Sequence, residues 1–159
     1  MVVATIADLL AGMGKDQRLL GLDVGERTIG LALSDVRRQL ASAARTIRRA
    51  RLGRDALIIR DLIVAEGVGG LVIGLPIDMD GREGRRAEAV RHFGQALDER
   101  LAALGVARPL AFWDERLSTA AVERVLRDEA DLSRERRRDL VDKVAAAYIL
   151  QGALDAAGA

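Results

Sequence analysis

Two apolar segments joined by a short turn constrain the fold more than any other feature of the sequence. Arg18–Val24 (RLLGLDV) is apolar and carries an acid at its end, as a buried strand does. Thr28–Ser34 (TIGLALS) follows the turn Gly25–Thr28 and has the pattern of a returning strand, so the pair predicts a β-hairpin. Leu40–Ile47 is a weaker third strand. The short, wholly apolar segment Leu71–Leu75 (LVIGL) is typical of a strand buried on both faces.

The remaining segments predict helices around a sheet. A fifth strand is expected at Leu110–Trp113, Gly67–Gly70 is expected to end the helix that precedes it, and Pro76–Gly84 is expected to be a loop. Helices are predicted at Arg54–Glu66, Arg85–Leu104, from Ser118 or Thr119 to about Glu129, and Arg138–Ala156, with a short extra helix from Thr5 to about Met13. This order predicts an α/β fold with a mixed five-stranded sheet flanked by helices, in a single domain over residues 1–159.

The composition excludes several classes of site. The chain has no cysteine and one histidine, which excludes disulfides and thiolate sites and argues against zinc bound through nitrogen and sulfur. A bound metal would therefore be held by oxygen ligands, which favours magnesium or manganese. The first residues include Asp8, Lys15 and Asp16 and do not form a signal peptide, and no apolar window is long enough to span a membrane. We expect a soluble, cytoplasmic protein.

Four acidic residues are candidates for a metal site. Asp23 ends the first buried strand, Asp114 and Glu115 follow the fifth, and Asp142 lies near the start of the apolar C-terminal helix. Carboxylates from separate elements can converge on one or two divalent ions, which promote phosphodiester cleavage. Each also has a structural interpretation. Asp23 could cap the hairpin turn, one of Asp114 and Glu115 could pair with Arg116, and Asp142 could interact with the helix dipole.

The positive charge is clustered although the net charge is only +1. Residues 36–54 contain seven arginines and no acid. Smaller clusters lie at residues 82–86 and 134–138. Clustered arginines favour phosphate binding, although such runs also occur on surfaces that only face water. Arg45, Arg48, Arg49 and Arg116 are the candidate nucleic-acid contacts.

Four motifs resemble one known family in order and spacing. They begin at Asp23 (DxGxxxIG), Ile73 (IGLP, followed by Met79-Asp-Gly), Asp114 (DERLST) and Asp142 (DKxAA). Together these motifs are similar to those of the YqgF (RuvX) family, which is related to the Holliday junction resolvase RuvC and has the ribonuclease H fold. The resemblance extends over about residues 19–154.

The resemblance implies a metal-dependent nuclease. Its usual assignment is 5′-end maturation of the small-subunit ribosomal RNA precursor, and junction resolution is an older proposal. Asp23 would be the central metal ligand, Glu115 the second acid with Asp114 as its rival, and Asp142 the third. The cofactor would be Mg²⁺ or Mn²⁺, and the partner pre-rRNA or branched DNA. We expect a monomer or a homodimer.

Two other function classes compete with this interpretation. Sugar-kinase and actin-type proteins also place an Asp-x-Gly turn on a hairpin to hold phosphates, but they need two lobes and a second phosphate loop, for which this chain is too short. A nucleic-acid-binding factor in transcription or ribosome assembly would need no catalysis. Metal-dependent cleavage that is lost when Asp23 becomes Asn would separate a nuclease from a binding protein.

Overall fold

The strands and helices follow the predicted order along the chain. The computed structural model describes residues 1–118 and 134–158, and the side chains of 1–116 and 143–158. The strands are β1 (Arg18–Val24), β2 (Thr28–Ser34), β3 (Ala41–Arg48), β4 (Val68–Leu75) and β5 (Leu110–Asp114). The helices are α1 (Ile6–Ala11), α2 (Leu52–Glu66), α3 (Arg85–Ala103) and α4 (Arg134–Gly158), with a 3₁₀ turn at Glu115–Ser118.

The strands form one mixed sheet in the order β3-β2-β1-β4-β5. β1 pairs antiparallel with β2, and β2 pairs antiparallel with β3, because short turns connect them. β4 pairs parallel with both β1 and β5, and helices form the crossovers. The three parallel strands β1, β4 and β5 therefore end at the same edge of the sheet.

Helices cover both faces of the sheet. One apolar core lies between the sheet and the helices α2 and α3, with Ile59 and Leu97 among its fully buried members. The other lies beneath α1 and α4, where Leu9 and Leu150 are fully buried. β4 lies between β1 and β5 in the sheet, and all of its residues are buried. No helix in the described part of the chain is both long and apolar enough to cross a membrane.

The structure confirms the predicted fold class and the hairpin. β1 and β2 have the predicted bounds, and Asp23 pairs with Gly30 across the hairpin. The predicted start of the first helix is also correct, because the Thr5 hydroxyl accepts a hydrogen bond from the backbone N–H of Asp8 at 3.0 Å. That helix ends at Ala11 rather than near Met13.

The strand predicted to begin at Leu71 begins at Val68, so of the segment Gly67–Gly70 only Gly67 ends the helix. Gly67 ends α2 in the left-handed conformation, with φ 62° and ψ 45°. Residues 68–70 already belong to β4, where Val68 pairs with Arg18 and Gly70 with Leu19. The glycines of this segment allow neighbouring side chains to pack closely against β4. A Cβ on Gly70 would lie 3.0 Å from the Met13 sulfur and 3.1 Å from Leu19 Cδ2.

The last helix also differs from its prediction. α4 includes Arg134, so residues 134–137, expected to be a charged linker, are helical. Asp142 consequently lies two turns into the described helix instead of in its first turn. The helix predicted from Ser118 or Thr119 to about Glu129 falls outside the described residues, apart from Ser118, which ends the 3₁₀ turn.

We predict that Gly21→Ala destabilises the protein by displacing α4. A Cβ at this position would lie 2.8 Å from Leu150 Cβ and 3.2 Å from the Ala146 carbonyl oxygen, so the helix backbone itself must move. Such overpacking typically costs about 1–3 kcal/mol. The measurement is the free energy of unfolding in denaturant. Gly53→Ala is the matched control, because a Cβ there would make only an ordinary contact with the flexible Arg100 side chain at 3.5 Å and alanine favours a helix, so its stability should hold or rise. Equal stabilities for the two variants would contradict the prediction.

Candidate active site at the carboxyl ends of the parallel strands

The register of the parallel strands brings two of the predicted acidic positions to one edge. Leu22 pairs with Ile73, and Gly74 pairs with Trp113. Asp23 follows Leu22, so it lies in the row of Gly74 and Trp113. The pair Asp114-Glu115 follows Trp113 directly. The acids of β1 and β5 therefore flank the end of β4, at the edge where ligands bind in parallel α/β sheets.

Strand alternation places Asp23 on the sheet face covered by α4. Successive residues of a strand point to opposite faces, and Leu22 and Val24 belong to the core beneath α2 and α3. Gly21 is on the other face, in close contact with Leu150 and Ala146 of α4. Asp23 shares the face of Gly21 and is half-buried there.

Glu115 reaches the same face across the end of β4. A Cβ built on Gly74 would lie 3.0 Å from Glu115 Oε2 and 2.5 Å from Ile149 Cδ1. Only a glycine leaves this space for the carboxylate between β4 and α4. Burial raises the pKa of Glu115 above its usual range, and the neighbouring Asp114 adds to the rise while Arg86 opposes it. Glu115 is therefore a desolvated carboxylate that lies next to the register position of Asp23.

Asp114 has a different environment from Glu115. Arg116 donates from Nε to Asp114 Oδ2 at 2.8 Å, and the Arg116 backbone N–H donates to Oδ1 at 3.0 Å. These bonds to Arg116 hold the pKa of Asp114 below its usual range. Of the two adjacent acids, Asp114 is therefore the one paired with Arg116, and Glu115 keeps its oxygens available for another partner.

Asp142 belongs to the described backbone of α4. It precedes Ala146 by four residues and Ile149 by seven, and both of these residues are buried against the sheet. Its side chain is outside the described set, so convergence of Asp142 with Asp23 and Glu115 stays a prediction. Among the described residues alone, no group of three acidic, histidine or cysteine side chains is close enough to hold a metal ion.

The arginines that were predicted to contact nucleic acid do not all lie on one surface. In β3, Arg45 shares a face with Ile47, which is buried in the core beneath α2 and α3, so Arg48 lies on the opposite face. Arg49 follows the strand. It donates to the Gly25 carbonyl oxygen at 2.7 Å, and its guanidinium lies 5.0 Å from the centre of the Phe93 ring. Contact of these arginines with nucleic acid stays a prediction.

Two clefts open at the same edge and contain residues that the predicted site omits. The first has a volume of about 360 Å³ and lies between the loop 76–84, the start of α3, and Glu115. The second, of about 300 Å³, lies between Val24–Glu26, Arg49 and α3. Both are lined by Arg85 and Arg86. The sequence signal for these two arginines is their cluster directly after the loop that follows Pro76.

Comparison with known proteins identifies the family. The family model RuvX, described as Holliday junction resolvase, matches residues 17–156, which leaves α1 outside the match. The chain belongs to the RuvX family. A relative from Paramagnetospirillum magneticum is 55% identical over 98% of this chain and 96% of its own length, and its name is "Putative pre-16S rRNA nuclease". A relative from Gluconacetobacter diazotrophicus with the same name is 55% identical over 91% of this chain and 90% of its own length.

Solved structures confirm the ribonuclease H-like fold. RuvC of T. thermophilus in complex with a Holliday junction substrate matches with a TM-score of 0.54 at 18% identity, over 88% of this chain and 94% of that one. A second RuvC structure, from Thermus thermophilus, matches with a TM-score of 0.51 at 15% identity, over 88% of this chain and 95% of that one. The predicted family and fold are therefore both correct.

We predict opposite stability changes for the two adjacent acids. Since burial raises the pKa of Glu115, its charged form destabilises the fold as the pH rises above its unfolded pKa of about 4.5. Glu115→Gln should therefore melt at a higher temperature than the parent at neutral pH in a chelator. This advantage should vanish below about pH 4, where the parent carboxyl is itself protonated.

Asp114→Asn is the matched comparison. It removes the acceptor charge for Arg116, whose bonds lower the pKa of Asp114, so it should melt earlier at neutral pH. The check is thermal melting of both variants across the acidic to neutral range. A Glu115→Gln variant that melts earlier than Asp114→Asn at neutral pH would overturn the distinction between the two carboxylates.

Proposed function

We propose that this chain is a metal-dependent nuclease that hydrolyses phosphodiester bonds in structured nucleic acid. The observation that carries the proposal is the placement of Asp23 and Glu115 on one face of the sheet, on either side of the side-chain-free position Gly74. Arginine-lined clefts open beside them. Carboxylates next to a positively charged groove are what a phosphodiester substrate and its metal require.

The donor set fits a hard divalent cation. Asp23 and Glu115 provide carboxylate oxygens, which magnesium and manganese prefer, and Asp142 would add a third from α4. Burial of Glu115 strengthens the case, because a desolvated carboxylate gains most from a nearby cation. When bound, Mg²⁺ or Mn²⁺ would stabilise the negative charge that develops on the cleaved phosphate.

The protein's own residues would orient the substrate and the acids. Ile149 and Gly74 fix the Glu115 side chain between α4 and β4, which limits its rotamers and excludes water from one side. The bonds between Arg116 and Asp114 hold the first residues after β5 in place, so Glu115 keeps its direction. Arg86, which faces Glu115, would attract the phosphate toward the acids.

We propose the 5′ end of pre-16S rRNA as the substrate. Two relatives that are 55% identical to this chain over 98% and 91% of its length carry the name "Putative pre-16S rRNA nuclease", and the 5′ end follows from the family resemblance. Holliday junction cleavage is the second candidate, and the description of the RuvX family favours it. Maturation of rRNA would also agree with the cytoplasmic location expected from the sequence. Comparing cleavage of a precursor RNA with that of a four-way DNA junction decides between the two.

We predict that Asp23→Asn abolishes cleavage and leaves the fold intact. The substitution keeps the side-chain shape but removes the charge that would hold the cation. Single-turnover cleavage with magnesium or manganese should fall by several orders of magnitude, since the stabilisation lost is worth several kcal/mol and about 1.4 kcal/mol is tenfold. Binding to substrate in a chelator should hold or improve, because a repulsive charge near the phosphate is gone.

Asp61→Asn provides the matched control. Asp61 is an exposed acid of α2 that pairs only with Arg60 among the described residues, so its variant should cleave normally. An Asp23→Asn variant that is folded and cleaves like the parent would refute the metal-site assignment. One that melts much earlier and binds nothing would show that Asp23 is a structural residue.

A further inference from the structure

Two arginines form the boundary between the clefts at the site edge. Arg85 and Arg86 begin α3, are exposed, and line both clefts. On one side of them lies Glu115, and on the other lies the turn Val24–Glu26, which directly follows Asp23. The two arginines thus lie between Glu115 and the turn that follows Asp23.

Neighbouring arginines at this edge form ion pairs with carboxylates, whereas Arg85 and Arg86 form none in the described part of the chain, and Arg86 interacts with Glu115 only closely enough to oppose the rise in its pKa. Arg91 of the same helix pairs with Glu83 and stacks over Phe112 at 5.1 Å, and Arg116 pairs with Asp114. For Arg85 and Arg86, no described residue provides a hydrogen bond or an ion pair. Their charge is available to a ligand in the clefts.

Arg49 adds a third guanidinium to the second cleft. Arg49 lines it and is held in place by the Gly25 carbonyl oxygen and the Phe93 ring. The lining therefore contains three arginines and one acid, Glu26. A guanidinium presents paired donors that match two phosphate oxygens, and one held by its neighbours loses little entropy on binding.

An exposed arginine pair on a helix would usually only face water, and the concave shape is what distinguishes this pair. A groove with several like charges concentrates its field and favours a ligand of opposite charge. The two clefts also meet at these residues, so a strand with its reacting bond near Glu115 would pass over Arg86 and Arg85 into the second cleft.

We propose that the second cleft, lined by Arg49, Arg85 and Arg86, binds a backbone phosphate of the substrate strand away from the bond that is cleaved. This subsite extends the proposed nuclease function and rests on it. It contacts the phosphate and not the bases, so it positions the strand without reading its sequence. Arg85 and Arg86 are positioning residues in this arrangement.

The test compares two double variants that lose the same charge. The first, called the boundary variant, is Arg85→Ala/Arg86→Ala, which removes the two guanidinium groups between the clefts. Arg37→Ala/Arg100→Ala removes two exposed arginines, one after β2 and one in the last turn of α3, both at the opposite edge of the sheet. The probe is a fluorescein-labelled RNA stem with a single-stranded 5′ extension, titrated in a chelator over a range of salt concentrations.

The boundary variant should bind about tenfold more weakly for each arginine lost. The slope of log affinity against log salt should fall by about one per arginine. The variant Arg85→Lys/Arg86→Lys keeps the positive charge but lacks the paired donors of the guanidinium. It should therefore retain the salt dependence and lose part of the affinity. Affinity and slope equal to those of the Arg37→Ala/Arg100→Ala control would overturn the subsite.

Cleavage separates this inference from the proposed function. With metal and saturating protein, the boundary variant should retain more activity than Asp23→Asn, because its acids are intact. If Asp23→Asn cleaves normally while the boundary variant binds weakly, the metal-site assignment fails and the phosphate cleft stands. If Asp23→Asn is inactive and the boundary variant binds like its control, the phosphate cleft fails alone.

Discussion

The close approach of α4 to the backbone of the sheet determines the geometry of the site. Gly21 and Gly74 present no side chain, so Leu150 and Ile149 pack directly against β1 and β4. This contact fixes the height of α4 above the sheet. It also leaves the space into which Glu115 turns. A larger residue at either glycine would disturb the core and the acids together.

Asp114 and Glu115 are adjacent in the chain but have different environments. Asp114 is stabilised as an anion by Arg116, which fixes the direction of the chain as β5 ends. Glu115 is forced toward α4, where burial disfavours its charge. In the proposed site, Asp114 would thus order the chain and the adjacent Glu115 would bind the metal, with the first residue holding the second in position.

The sequence predicts the strands well because their signals are local, and it predicts the site less fully because that depends on packing. The bounds of β1 and β2 follow from apolar runs and a turn. The glycines at 69 and 70 resemble a loop, and only their contacts with α1 and Gln17 explain a strand there. The choice of Glu115 over Asp114, and the role of Arg85 beside two clefts, depend on which faces meet across the sheet.

The position of α4 in the chain also affects how the protein is made. All five strands are synthesised before α4, so the face that carries Leu19 and Val72 has no cover from this helix until α4 has also been synthesised. The hairpin and β3 can pair early, because their contacts are local, whereas docking of α4 closes the longest loops in the chain. On the ribosome, the nascent chain would consequently cover this face of the sheet, next to the candidate site, only after α4 docks.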